Sequence, residues 1–223
     1  MQKIKKNCHI FSGLTESEFS IVNKNSEIKN FAKWDKILNP WVKNKNLYII
    51  QKWIIKINFQ FKDKKFTTWF LKEYDYFWQI WIFSGWMSKI EATCISPCTI
   101  LEIKQESVDE LMIHSPIFVY NLLNWFSENI LNIHETIYNL AFRNIKERII
   151  IQLIYLAKIF REKVNDKIII NLPLTQEEIS NFVWTSRENI TKELSKLKKE
   201  WIVEIKTKKI IILDEKRLKE MVE

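Results

Sequence analysis

Residues 172–214, LPLTQEEISNFVWTSRENITKELSKLKKEWIVEIKTKKIIILD, decide the fold. Thr175 stands before an apolar-periodic run and Glu178 follows three positions later, the order of a capping box that opens a helix. Ile179, Phe182 and Val183 recur at helical spacing and stop at a tight VWTS segment. A second helix starts behind Thr185 or Ser186 and carries Ile190, Leu194 and Leu197 on one face. Two β-rich runs, WIVEIK and KKIIILD, then read as a hairpin. Helix, tight turn, helix and hairpin in that order make a winged helix-turn-helix, whose second helix enters the DNA major groove.

The outward residues of that second helix carry the chemistry of base reading. Between Ser186 and Lys199 stand Arg187, Lys192, Lys196, Lys198 and Lys199 against only Glu188 and Glu193. On the first turns, Arg187 suits both acceptors of guanine, Glu188 suits the cytosine amino group, and Lys192 reaches guanine or phosphate. Thr175, Gln176 and Ser186 fall at helix N-termini, where hydroxyl, amide and backbone N–H groups suit phosphate oxygens. The bland alternative is a merely solvated basic face. The formal net charge of +8 points to an anionic partner, although ribosomal and membrane-surface proteins share such a balance.

Upstream, the helical period continues. Val119, Leu123, Phe126, Ile130, Ile133, Ile137 and Leu140 are spaced alternately by four and three, which predicts a parallel two-helix seam between copies of the chain. A helix packed on its own domain is the alternative. Pro116 sits where a first-turn proline is tolerated. A further helix is expected from Asn144 to about Glu162, ending at a polar VNDK turn. From about Ile28 to Lys104 the pattern differs: DKILN, NLYIIQK, IIKINFQF, FTTWFL, IEATCIS and TILEIK are short strand-like runs between polar turns, with a hairpin at KDKK. Such spacing predicts a compact barrel or sandwich. Thr15 and Glu18 cap one short helix ahead of it. The fold class is therefore α+β, with domains at 1–114 (strand-rich barrel or sandwich), 115–143 (long helix of the two-helix seam) and 144–223 (winged helix-turn-helix).

With 47% hydrophobic residues in 223, the chain can bury a core without cross-links. Three cysteines, Cys8, Cys94 and Cys98, do not make a secreted disulfide framework, and a reducing compartment is expected. MQKIKKNCHIFSG lacks the apolar stretch of a signal peptide, and the uncharged run from Ser115 to Ser127 is too short to span a bilayer. A cytoplasmic protein without a membrane partner follows as the expectation.

The chain resembles the CRP/FNR family of bacterial transcription regulators along nearly its whole length. The stretches that carry the likeness are IFSGLTESEF, KWDKILNPW, LYIIQKWIIKI, YDYFWQIWIF, NIKERIIIQLIYLA and, most specifically, LTQEEISNFVWTSRENITKELSKLKKEWIVEI. The resemblance implies an N-terminal double-stranded β-helix, or β-roll, of cyclic-nucleotide-binding type that senses a signal. It also implies a homodimer through the long helix, double-stranded DNA with a palindromic operator as target, and RNA polymerase as a further partner. In cyclic-AMP-binding members a Glu behind the YFG-type segment holds the ribose and a downstream Arg the phosphate. Here Gln79 and, at best, Lys89 take those places, in an effector pocket that also includes Trp78 and Ile80, which makes cyclic AMP an improbable effector. Activation and repression are equally compatible with these residues. Oxygen-sensing members hold an iron-sulfur cluster on four cysteines, which a count of three excludes.

No metal site is expected. Cys94 and Cys98 could share a face, but a site joining them to Cys8 and His9 competes with the usual role of cysteine as a small buried hydrophobe. His114 and His134 read as structural. No nucleophile-base pair, metal triad or phosphate-cradling glycine loop marks an enzyme. A sensor module that regulates a protein partner is the competing function, and it would require the phosphate-binding Arg that is missing here.

One compositional feature stands apart. There are two glycines, where average usage of about 7% would give about 15, and ten tryptophans. Trp34, Trp41, Trp53, Trp78, Trp81, Trp184 and Trp201 all fall at turns where the resembled pattern has glycine. Glycine is used at such places because φ > 0 opposes a bulky side chain. The pattern fits a UGA codon that the cell reads as glycine.

Overall fold

The computed structural model describes residues 4, 7–42, 45–62, 64–77, 89–164, 167–170, 175–206 and 209–222. The expected N-terminal helix forms as α1 (Glu16–Lys24), closed by a complete capping box between Thr15 and Glu18. Eight strands follow: β1 (Ser26–Phe31), β2 (Lys36–Leu38), β3 (Leu47–Lys52), β4 (Ile55–Phe61), β5 (Lys64–Leu71), β6 (Tyr76–Phe77), β7 (Ile90–Cys94) and β8 (Cys98–Ile103). They form two antiparallel sheets, ordered β1-β8-β3-β6 and β2-β7-β4-β5. β1 and β6 carry no strong alternation and are found only by their pairing, Ile28 opposite Leu101 and Tyr48 opposite Phe77. The hairpin expected at KDKK is present, with Phe61 opposite Lys64.

The first sheet is buried on both faces, and this explains the unbroken apolar run LYII in β3. Tyr48 and Ile50 point into the space between the sheets, with Ile55, Ile57, Phe77, Ala92, Cys94, Cys98 and Ile100. Leu47 and Ile49 face the other way, onto Phe11, Leu14, Phe19, Val108, Leu111, Phe118 and Leu122. Ser107 seals that second layer: fully buried, it donates from Oγ to the Ile21 carbonyl at 2.7 Å. This is the β-roll, and α2 (Gln105–His114) closes it.

The long helix α3 (Pro116–Phe142) has 27 residues, about 40 Å at 1.5 Å per residue. Ser115 accepts the Phe118 N–H at its start, and Pro116 takes the first helical position, as expected. Buried Asn121 donates to the Ile10 and Ser12 carbonyls at 3.2 and 2.8 Å, which holds the N-terminal segment against the helix. α4 (Ile145–Phe160) is shorter than the spacing predicts. Residues 161–162, expected as helix, belong to β9 (Arg161–Val164), because pairing with the β-branched run of β10 (Lys167–Ile170) overrides helical continuation. α5 (Gln176–Val183), α6 (Arg187–Lys199), β11 (Val203–Lys206), β12 (Lys209–Ile212) and α7 (Glu215–Glu220) complete the chain, with the last sheet ordered β11-β12-β10-β9. The chain divides into two compact units, residues 1–132 and 133–223.

Among the described residues, seven that are not glycine have left-handed backbone: Trp34, Trp41, Trp53, Trp184, Trp201, Lys62 and Tyr74, with φ from 54° to 74°. Each such residue costs about 1–2 kcal/mol. Five tryptophans held this way carry strain of the same order as a domain's net stability, about 5–15 kcal/mol.

Candidate nucleic-acid interface

The helix-turn-helix is built from its caps. Thr175 accepts the Glu178 N–H at 3.1 Å, and Glu178 accepts the Thr175 N–H at 2.9 Å, so the capping box read from the sequence is complete. Of the two candidates for the second cap, Ser186 takes it, accepting the Asn189 N–H at 3.3 Å. Ile179, Phe182 and Val183 of α5 and Ile190, Leu194 and Leu197 of α6 are all buried. Their burial fixes the opposite face of α6 outward.

That outward face presents Arg187, Glu188, Thr191, Lys192, Ser195, Lys198 and Lys199, all exposed. At 100° per residue they lie within a continuous arc, with Thr191 and Ser195 between the arginine and Lys192. The reading of the sequence does not single out Thr191 and Ser195; a helical wheel anchored on the buried leucines would have found them. Both are short: Thr191 Oγ1 lies 2.9 Å from Gln176 Oε1 and from the Arg187 carbonyl, and Ser195 Oγ donates to the Thr191 carbonyl at 2.7 Å. The Gln176–Thr191 contact ties the N-terminus of α5 to the middle of α6 and leaves the Gln176 amide nitrogen for an anion. Thr175 Oγ1 is engaged with Glu178, donating to Oε2 at 3.0 Å, so the backbone end of α5 rather than this hydroxyl is what it offers a phosphate. Glu188 is fully exposed, and its own backbone N–H, with the Ser186 hydroxyl, holds its carboxyl below the usual range. The carboxylate is therefore charged and drawn toward the helix N-terminus. β11 and β12 form the hairpin that flanks α6, with Lys206 opposite Lys209 as the pair next to the connection between the strands.

The seam residues of α3 divide into two sets. Leu123 (58% exposed), Ile130 (53%), Ile133 (43%) and Ile137 (57%) stand in solvent, as does Leu131. Val119, Phe126 and Leu140 are partly buried, and Phe126 packs against the core of its own roll beside Trp125, at 5.1 Å between rings. Of the effector-pocket residues, Trp78, Gln79 and Ile80 lie outside the described residues. Lys89 is described, with its ammonium 5.6 Å from the centre of the Trp41 ring.

Other titratable groups of the roll are engaged structurally. Glu91 is buried on β7, yet its carboxyl is held down to about 2: burial would raise it, but Lys36 at 2.8 Å, Lys65 at 3.0 Å and Asn58 at 3.2 Å together outweigh burial. Cys8 lies in one core layer and Cys94 and Cys98 in the other, all buried. Burial pushes the Cys8 thiol up to about 12. No group of three metal-ligating side chains occurs among the described residues, and no helix there is long and apolar enough to cross a membrane.

The family described as Crp-like helix-turn-helix domain matches residues 147–221. The chain is similar to the CRP-like cAMP-activated global transcriptional regulator of Mycobacterium tuberculosis, 23% identical over 98% of both chains. Its fold matches that of a CooA mutant from Carboxydothermus hydrogenoformans with a TM-score of 0.79 at 20% identity, over 97% of this chain and 96% of the other. It also matches a CRP/FNR-family transcriptional regulator from Thermus thermophilus, with a TM-score of 0.74 at 20% identity over 88% and 98%. With a β-roll of cyclic-nucleotide-binding type ahead of a helix-turn-helix that matches the Crp-like family, the chain is similar over nearly its whole length to transcription regulators of the CRP/FNR type.

Proposed function

We propose that this regulator acts in the cytoplasm as a homodimer on a two-fold symmetric operator, with the roll receiving a signal that controls binding. The observation that carries the reading is the outward face of α6, basic and set by a fully buried opposite face. In this arrangement Arg187 reads a guanine, Glu188 a cytosine amino group, and Lys192 a guanine or phosphate. Gln176, Ser186 and the N-terminus of α5 near Thr175 hold the backbone. The exposed isoleucines and leucines of α3 support dimerisation, because a row of apolar side chains on one helix is covered most simply by the same helix of a second copy. RNA polymerase is the expected onward partner.

The relative from Mycobacterium tuberculosis is named as cAMP-activated. Gln79 and Lys89 in place of the ribose- and phosphate-holding Glu and Arg argue for a different effector in this chain.

Selection of bound sequences from a random DNA pool, at low and near-physiological salt, tests the proposal. A two-fold symmetric consensus with half-sites about one helical turn apart, retained at the higher salt, is the expected result. Binding that vanishes with salt and yields no consensus, with or without cell extract supplying effector, would overturn it.

A further inference from the structure

We infer that the polypeptide made in the cell carries glycine at positions 34, 41, 53, 184 and 201, all five encoded by one codon that the cell reads as glycine rather than tryptophan. Seven tryptophans are described, and five of them have φ between 58° and 74°. The other two, Trp69 in β5 and Trp125 in α3, have ordinary backbone and pack as aromatic side chains do: Trp125 lies 5.5 Å from the Tyr76 ring, and Trp69 packs on the core between the sheets. Left-handed backbone thus separates the tryptophans into two classes.

Each of the five occupies a place whose hydrogen bonding calls for glycine. α5 ends with the Thr185 N–H on the Ser180 carbonyl at 3.0 Å, and α6 ends with the Ile202 N–H on the Leu197 carbonyl at 3.0 Å. Both are Schellman closures, and the left-handed residue inside each, ordinarily glycine, is Trp184 or Trp201. Trp34 is the third residue of a turn closed by the Asp35 N–H on the Ala32 carbonyl at 3.1 Å, the place where a type II turn takes glycine. Trp41 follows Pro40, the proline-glycine order of the same turn, and Trp53 links β3 to β4. The one described glycine, Gly13, is itself left-handed at φ 79°.

Lys33 and Lys56 lie over the Trp34 ring and Lys89 over the Trp41 ring, but exposed contacts of this kind contribute about 0.5–1 kcal/mol each, less than the strain. Trp34, Trp41, Trp53 and Trp201 are 52–80% exposed. Trp184 lines a small cavity together with Asn139 and Arg148, whose Oδ1 and Nε are buried without hydrogen-bond partners, so the indole satisfies neither atom. Tyr74 and Lys62 show that the fold holds a large side chain left-handed at isolated positions. The weight of the inference lies in five of seven such positions belonging to one residue type that supplies ten of the 223 residues.

Peptide mass spectrometry on the protein purified from the cells that make it is the test. Glycine mass at the five positions is expected, and tryptophan mass at 184 and 201 would overturn the inference. An independent measurement compares two recombinant chains, one as printed and one carrying Trp34→Gly, Trp41→Gly, Trp53→Gly, Trp184→Gly and Trp201→Gly. The glycine chain is expected to melt about 10 °C or more higher. An equal or lower melting temperature would remove the backbone argument and with it the inference.

Discussion

Arg187 is exposed on the first turn of α6 and has the longest reach there, beside Ser186, which caps the helix, and Glu188, whose carboxylate is drawn toward the helix N-terminus. It is therefore the side chain best placed to extend into a groove. Arg187→Ala is expected to cost about 1–3 kcal/mol of operator binding, concentrated at one base pair per half-site, whereas Gln176→Ala should weaken all sequences about equally. Binding assays against single-base operator variants separate the two patterns. Equal losses on every DNA from Arg187→Ala would contradict its role. A second residue-scale prediction concerns Glu91. Its folded-state carboxyl titrates at about 2, below the ordinary 4.5, so its ion pairs contribute stability at and above about pH 4.5 that is lost as pH falls toward 2. The shift corresponds to a few kcal/mol, roughly 3. Acid unfolding followed by circular dichroism should show this loss in the native chain, and Glu91→Gln should flatten the curve over that interval.

At the scale of elements, α3 has two faces with different duties. Phe118, Leu122 and partly Phe126 belong to the roll, and Leu123, Ile130, Ile133 and Ile137 face outward. Because Ile137 is 57% exposed in the single chain, Ile137→Asp should change the chain's own stability by no more than about 0.5 kcal/mol. In a dimer it would bury two carboxylates side by side. Sedimentation should then find monomers, with operator binding lost; an intact dimer would move the interface elsewhere. The helix-turn-helix pair behaves differently, because its own buried faces join α5 to α6 without a partner.

At the scale of the whole molecule, the net charge of +8 matters through where it is placed. Lys198 and Lys199 close the exposed arc of α6, and Lys206 and Lys209 end the flanking hairpin. Binding should weaken steeply with salt, since each neutralised phosphate contributes about 0.9 to the slope of log affinity against log salt. Lys198→Ala should lower that slope by about 1 per bound chain and weaken all sequences alike. A slope unchanged by the substitution would place Lys198 outside the contact surface.

Local rules were enough for much of this protein. Capping boxes at Thr15 and Thr175, the helical periods of α3, α5 and α6, and the left-handed turns marked by tryptophan are all short-range signals, and the sequence by itself determined them. Tertiary structure decided the rest. β1 and β6 exist only because distant strands offer them hydrogen bonds, and the strand pairing of Arg161–Val164 overrode a helical run that local spacing would have continued. The split of α3 between Phe126, held in its own core, and Ile137, left outside, was equally invisible, because a four-three apolar repeat reads the same whichever surface covers it. Periodicity states that a helix has an apolar face; only packing states which neighbour that face meets.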